Sequence, residues 1–268
     1  MLQKTIFFLA CCIVCASCGT QSGALLGSAG LKATQALTLS DAQIETYVKE
    51  YITETDKQNK ICQPGSPHGD RLERIVGKFN NQGGLNIKAY ETKDVNAFAC
   101  ADGSIRVYTG LMDIMSDEEI LGVVGHEIGH IHNKDTKSAF QRALLTSAAL
   151  EGISSAGGVV ANLSTSQLGA IGEALVSAHF SQKQEYAADK FGYEFLKSNG
   201  INPWAMALSF EKLQMMQEAA GGANPGAVQQ LFSTHPDITA RTKVMADRAT
   251  KEGFQRPGAA GSSSKWKY

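Results

Sequence analysis

Ser116-Asp117-Glu118-Glu119-Ile120-Leu121-Gly122-Val123-Val124-Gly125-His126-Glu127-Ile128-Gly129-His130-Ile131-His132-Asn133-Lys134-Asp135 decides how the rest of the chain is read. Ser116 with Glu119 forms a capping-box pattern, in which each side chain satisfies an orphan N–H of the first helical turn. Asp117, Glu118 and Glu119 add negative charge where the helix dipole is positive. Ile120, Leu121, Val123, Val124, Ile128 and Ile131 put apolar groups all round, which predicts a deeply buried helix. Within it, His126-Glu127-Ile128-Gly129-His130 is an H-E-x-x-H. Positions i and i+4 share a helix face, so His126 and His130 can present two imidazoles to one metal ion. Glu127, one step round, is placed as general base. Two histidines and a glutamate inside an apolar helix cost several kcal/mol unless partnered, and a cation is the natural partner.

A catalytic zinc takes three protein ligands and keeps a fourth position open. The metzincin pattern is excluded, because its later positions hold Asn133 and Thr136. His132 falls on another face of the helix. A glutamate from a later helix remains. Glu151 and Glu173 lack an acid four residues on, whereas Glu185-Tyr186-Ala187-Ala188-Asp189 has one. Glu185 can then bind the metal. Asp189, one turn later, can accept an N–H from a liganding histidine and fix its ring. Ala187 and Ala188 allow close packing on the metal helix.

Working outward, the 268 residues carry a net charge of −1, which leaves no electrostatic footprint for nucleic acid. Residues 1–17 read as a secretory signal with an apolar run from Ile6 to Val14, too short for a membrane span. Cys15-Ala16-Ser17-Cys18 resembles a bacterial lipobox, with Cys15 where leucine is usual, and predicts lipidation at Cys18. Gly19 carries no inner-membrane retention signal. The expected location is therefore the outer membrane, lipid-anchored and facing the periplasm, with a soluble periplasmic protein as the alternative. A Gly/Ala/Ser-rich tether through residue 35 follows. Four of the six cysteines lie in the signal. The other two, Cys62 and Cys100, would meet an oxidising compartment and are expected to form a disulfide.

Helices are predicted at 40–61, 69–81, 182–198, 203–217 and 237–248, with helical tendency across 137–180. The apolar run 143–163 holds Glu151, Asn162 and several glycines, so it is not read as a membrane span. Leu85–Tyr90 alternates as a strand. Val95–Cys100 and Ser104–Tyr108 flank Asp102-Gly103, a hairpin turn signal. Asn96, Ala97, Phe98 and Ala99 are the candidate edge for pairing with an extended peptide substrate. From Gly253 the tail reads as disordered.

In combination these motifs resemble the M48 zinc metallopeptidases, relatives of HtpX, and within them the LoiP-type lipoprotein subgroup. Asp94–Ala99, Ile105–Leu111, Gly125–His130, Phe180–Asp189 and His235-Pro236 carry the resemblance, which spans about residues 36–250. It implies an α+β fold, mainly α-helical and zincin-like (gluzincin), with a small antiparallel sheet beside the metal helix and a peptidase domain at 36–252. It implies one Zn²⁺ on His126, His130 and Glu185, with Glu127 as base. It adds His235 as a catalytic residue that stabilises the oxyanion or covers the metal, and Arg241 as a partner for an acid near the site. The expected activity is endopeptidase cleavage of misfolded or envelope polypeptides, with other envelope proteases or assembly factors as further partners. The rival is an envelope chaperone or scaffold for outer-membrane proteins, with zinc mainly structural.

Overall fold

In the computed structural model, residues 40–80, 82–146, 165–176, 179–220 and 234–258 are described. The signal, Cys18, the tether, most of the 143–163 run and residues 259–268 fall outside them. In chain order the elements are α1 (Asp41–Gln58), α2 (Pro67–Val76), β1 (Asn86–Tyr90), β2 (Ala97–Ala99), β3 (Ser104–Tyr108), α3 (Thr109–Ile114), α4 (Asp117–His132), α5 (Asp135–Thr146), α6 (Thr165–Val176), α7 (Gln182–Ser198), α8 (Trp204–Ala220) and α9 (Ile238–Lys251). This is a mainly helical α+β fold. Among the described residues no helix is long and apolar enough to cross a membrane.

The metal helix is α4, and it forms as its sequence dictates. Ser116 N–H donates to Glu119 Oε2 at 2.7 Å, and Glu119 N–H donates back to Ser116 Oγ at 3.3 Å. Ile120 and Val124 are fully buried. α7 is the main neighbour of α4, and small residues let the two backbones nearly touch. A Cβ added at Gly129 would stand 3.0 Å from Ala188 Cα, and one at Gly192 would stand 3.0 Å from the backbone nitrogen of His126. That is closer than ordinary van der Waals contact, so side chains here would force the helices apart. A matching capping box, Ser181 with Gln184, starts α7 and places Glu185 in its first turn.

The sheet is mixed, not purely antiparallel. Its order is β1-β3-β2. The expected hairpin joins β2 to β3, with Phe98 opposite Arg106. β1, however, runs parallel to β3, with Ile87 opposite Ile105. Residues 91–96 carry the chain across the sheet end, so β3 inserts between the two earlier strands and β2 is left on an edge.

This order explains why the expected Cys62–Cys100 disulfide is absent: both are free thiols. Cys62 donates its N–H to Ala89 O at the outer side of β1, whereas Cys100 follows β2 and bonds Ser104. β1 and β3 lie between them. Three strand spacings come to about 14 Å, and a disulfide tolerates a Cα separation of no more than about 7 Å. The tail also departs from expectation. Phe254 O accepts from Trp204 Nε1 at 3.0 Å, and Arg256 pairs with Glu211, so the chain stays packed beyond Gly253.

Two apolar clusters result. The larger joins the sheet, α2, α4, α7, α8 and α9. The smaller joins α1 and α5 with Cys100 and Ile171. A buried ion cluster ties α1 to the sheet. Arg106, 1% exposed, donates to Asp56 through Nε at 2.8 Å and Nη2 at 3.0 Å. Lys88 and the Tyr90 hydroxyl also donate to Asp56. Burial alone would raise the Asp56 carboxyl, but these three donors outweigh it and hold the pKa at about 2. A depressed carboxylate stabilises the fold above its unfolded pKa of about 3.9, and that contribution is lost as pH falls through about 2. Asp56→Asn is therefore expected to cost about 3 kcal/mol at neutral pH, because it leaves Arg106 buried without its counter-charge. Denaturant titrations should show the gap between variant and wild type closing between about pH 4 and pH 2. Equal stabilities at neutral pH would refute the role given to this cluster.

Candidate metal centre

The i, i+4 spacing on α4 does what helical geometry requires: His126 Nε2 and His130 Nε2 lie 3.0 Å apart. Glu185 on α7 reaches both, with a carboxylate oxygen 3.4 Å from His130 Nε2 and the other 3.7 Å from His126 Nε2. His235, in the segment before α9, brings Nδ1 to 3.3 Å from His126 Nε2 and 3.1 Å from Glu185 Oε1. All four side chains are buried, and together they form a candidate metal-binding group. Donors held about 2.0–2.2 Å from one ion at tetrahedral corners stand about 3.3–3.6 Å from each other, close to the separations seen here.

The chemistry of the donors also fits a cation. His130 Nδ1 lies 3.1 Å from Asp135 Oδ2, and His126 Nδ1 lies 2.9 Å from Asp189 Oδ1, the latter at an angle too bent for a good hydrogen bond. Each carboxylate favours a proton on the Nδ1 beside it, which leaves both Nε2 lone pairs facing one point. The two Nε2 atoms, 3.0 Å apart with a carboxylate beside them, need a positive charge between them: a proton on one ring when no metal is bound, or a metal ion.

A deeper layer fixes these groups. Arg241, 1% exposed, forks onto Asp189 through Nε at 2.7 Å and Nη2 at 2.6 Å, and its Nη1 meets Glu185. The guanidinium lies over the Phe210 ring. Burial opposes ionisation of Asp189, but Arg241 outweighs it and keeps the carboxyl low. Asp135 is held in turn by Gln184 Nε2 at 2.8 Å. Phe180 stacks on His130 with ring centroids 4.0 Å apart.

Glu127 is buried but stands outside the donor group. Its carboxylate lies 3.8 Å from His235 Nε2 and lines a cavity of about 150 Å³. Asn96, Ala97, Phe98 and Ala99 line the same cavity, and β2 is an edge strand. His132, by contrast, points away and contacts Phe191.

Sequence reasoning brought His126, Glu127, His130, Glu185, Asp189, His235 and Arg241 to attention, and all meet here. It missed Asp135, Gln184 and Phe180 as site residues. Asp135 had a signal: it opens α5 directly after Asn133-Lys134, and Lys134 adopts φ 61°. A reversal that tight returns the next helix start to the last turn of α4. His235 differs in kind from expectation, because its Nδ1 joins the donors instead of standing apart from them.

Comparisons with known proteins agree with this geometry. The family model described as Peptidase family M48 matches residues 70–249. The metalloprotease LoiP of Escherichia coli strain K12 is 42% identical over 231 residues, covering 85% of this chain and 89% of the relative. The metalloprotease YcaL of the same organism is 39% identical over 224 residues, covering 82% and 85%. A protease HtpX homolog of Persephonella marina is 28% identical over 222 residues, covering 68% and 76%.

Without metal, burial would lower the His130 pKa, but hydrogen bonds to Asp135 and Glu185 outweigh it and raise the pKa to about 9. At neutral pH the ring therefore holds a proton that a metal must displace. Zinc binding to metal-free protein is expected to release about one proton at neutral pH and to tighten as pH rises towards about 9. Calorimetry in buffers of different ionisation enthalpy checks this; proton-neutral binding at neutral pH would contradict it.

Proposed function

Since this chain belongs to peptidase family M48 and is a metalloprotease, we propose that it is a zinc endopeptidase cleaving unfolded or misfolded polypeptides of the bacterial envelope. The observation that carries this reading is the placement of Glu127. Its carboxylate stands beside a buried four-donor cluster and faces a cavity walled by β2, an edge strand among the described residues. A purely structural zinc site also has four protein donors, as a chaperone or scaffold would need, but it has no use for a carboxylate so placed.

His126, His130 and Glu185 would hold one zinc ion. When bound, zinc supplies Lewis acidity and a water whose pKa is brought near neutrality. His235 is the donor that gives way. The other three sit within α4 and α7, whereas His235 lies on irregular backbone before α9. Glu127 accepts the proton of the attacking water and returns it to the leaving amine. An extended substrate pairs its backbone with Asn96–Ala99, which sets the scissile carbonyl beside Glu127. His235, turned out of the donor cluster, donates to the developing oxyanion. Donors in that role are worth about 3–4 kcal/mol. Asp189 and Asp135 hold the two imidazoles in the metal-binding tautomer, and Arg241 pairs with both Asp189 and Glu185 and keeps the Asp189 carboxyl ionised.

Glu127→Gln is expected to keep its zinc, measured by metal analysis after dialysis, and to lose cleavage of an unfolded protein by at least a thousandfold. Cleavage near the wild-type rate would sink the mechanism. We further propose that Cys18 is lipidated and anchors the chain to the outer membrane facing the periplasm; the Cys15–Cys18 pattern supports this. Cys18→Ser should move the protein from the membrane fraction to the soluble one. Continued membrane fractionation of the variant would overturn the anchor.

A further inference from the structure

The outer face of the α4–α7 pair carries an aromatic stripe edged by lysines. Phe79, just past α2, packs on Phe195 of α7 with ring centroids 4.8 Å apart. One turn back along α7, Phe191 meets the exposed His132 ring at the end of α4, with centroids 5.0 Å apart. The three phenylalanines are half-buried, as are Ile128 and Ile131 of α4. Lys78 lies over the Phe79 ring, 4.7 Å from its centroid. Lys183 and Lys190, seven positions apart, share one face of α7. Lys134 follows His132 by two positions, and the bond from Gln184 to Asp135 brings its corner beside Lys183. All four lysines are exposed, and among the described residues none of them forms an ion pair. The acids at this corner have other partners: Asp135 accepts from Gln184, Asp41 pairs with Lys137, and Asp237 accepts from Gln182.

We propose that this face rests on a phospholipid bilayer surface, with the lysines against anionic headgroup phosphates and the aromatic rings at headgroup level. The assignment rests on the Cys18 anchor proposed above. Three features carry it. First, half-buried rings flanked by unpaired lysines suit an interface between apolar and charged layers, because a lysine stem stays with the apolar layer while its ammonium reaches a phosphate. A face built for another protein would be poor in lysine. Second, the chain enters at the right place. Asp41 opens α1 and pairs with Lys137, three positions past Lys134, so the segment from Cys18 arrives at the His132 end of the stripe. The 22 positions from Cys18 to Ser40 span at most about 75 Å, which keeps the domain within reach of the bilayer. Third, a tethered surface meets its partner at a high effective concentration, so the modest attraction of a few lysines is enough to hold it. The lipid sets the distance, and this face sets the orientation.

The test uses the full chain as Cys18→Ser, so that no attached lipid contributes. It is floated with vesicles of phosphatidylethanolamine and phosphatidylglycerol, or of phosphatidylcholine alone. Binding to the phosphatidylglycerol vesicles is expected to exceed binding to phosphatidylcholine at least tenfold and to fall as salt is raised. Combining Lys78→Glu, Lys183→Glu and Lys190→Glu should reduce it at least tenfold. The same charge change at Lys93, Lys243 and Lys251, elsewhere on the surface, should reduce it less than threefold. Circular dichroism checks that each variant is folded; if the triple glutamate variant is not, Lys183→Gln with Lys190→Gln should still cut binding at least threefold. Flotation that is absent, or equal with both vesicle types, overturns the proposal, as does an equal loss in the two triple variants. A native chain without lipid, with Cys18→Ser still floating through these lysines, sinks the anchor and supports the face. A lipidated native chain whose Cys18→Ser form floats no better than its patch variant sinks the face and leaves the anchor standing.

Discussion

Two imidazole Nε2 atoms held 3.0 Å apart and aimed at one point are the constraint on which the site depends. That arrangement needs a proton or a metal ion between the rings, and it is held in place because each ring is braced from behind by a carboxylate on another element. Asp189 comes from α7 and Asp135 from the start of α5. Glu185 and Asp189 are both kept ionised; Arg241 pairs with each of them, and without metal a proton on His130 supplies a further positive charge beside Glu185. A divalent cation displaces that proton and takes its place between the two imidazoles and Glu185, so the side chains that hold a proton in the metal-free site are the ones that hold its occupant.

The helix crossing carries this electrostatic arrangement. Small residues at Gly129, Ala188 and Gly192 bring the α4 and α7 backbones together, and that closeness allows a short glutamate side chain to reach both histidines. Ile120, Leu121, Val123 and Val124 bury the N-terminal half of α4 in the larger apolar cluster. Packing, charge and metal selection are one design viewed at three scales.

Much of this could be read from local pattern. The capping box, the apolar surround and the H-E-x-x-H specify α4 within a single short stretch, and the i, i+4 acid pair on α7 pointed to Glu185 and Asp189. These signals are local because a helix converts sequence spacing directly into geometry. What escaped was set by long-range topology. The parallel pairing of β1 depends on β3 inserting beside it, which no alternation of side chains reveals. The separation of Cys62 from Cys100 follows from the same strand order. Tyr51 reads as one more apolar position of α1, and only tertiary packing brings it to the cavity beside Glu127. His235 could be placed near the metal by resemblance, but its distance from Glu185 could not.

The spacing of the donors along the chain has a consequence for biogenesis. Glu185 follows His130 by 55 positions. A nascent chain therefore owns two imidazoles long before it owns the carboxylate, and loop closure must bring α7 onto α4 before the cation is held firmly. Hydrolytic power thus arises only in molecules whose central helices have already docked. A hydrolase that emerges among unfolded neighbours is in this way kept inert until its own folding is nearly complete.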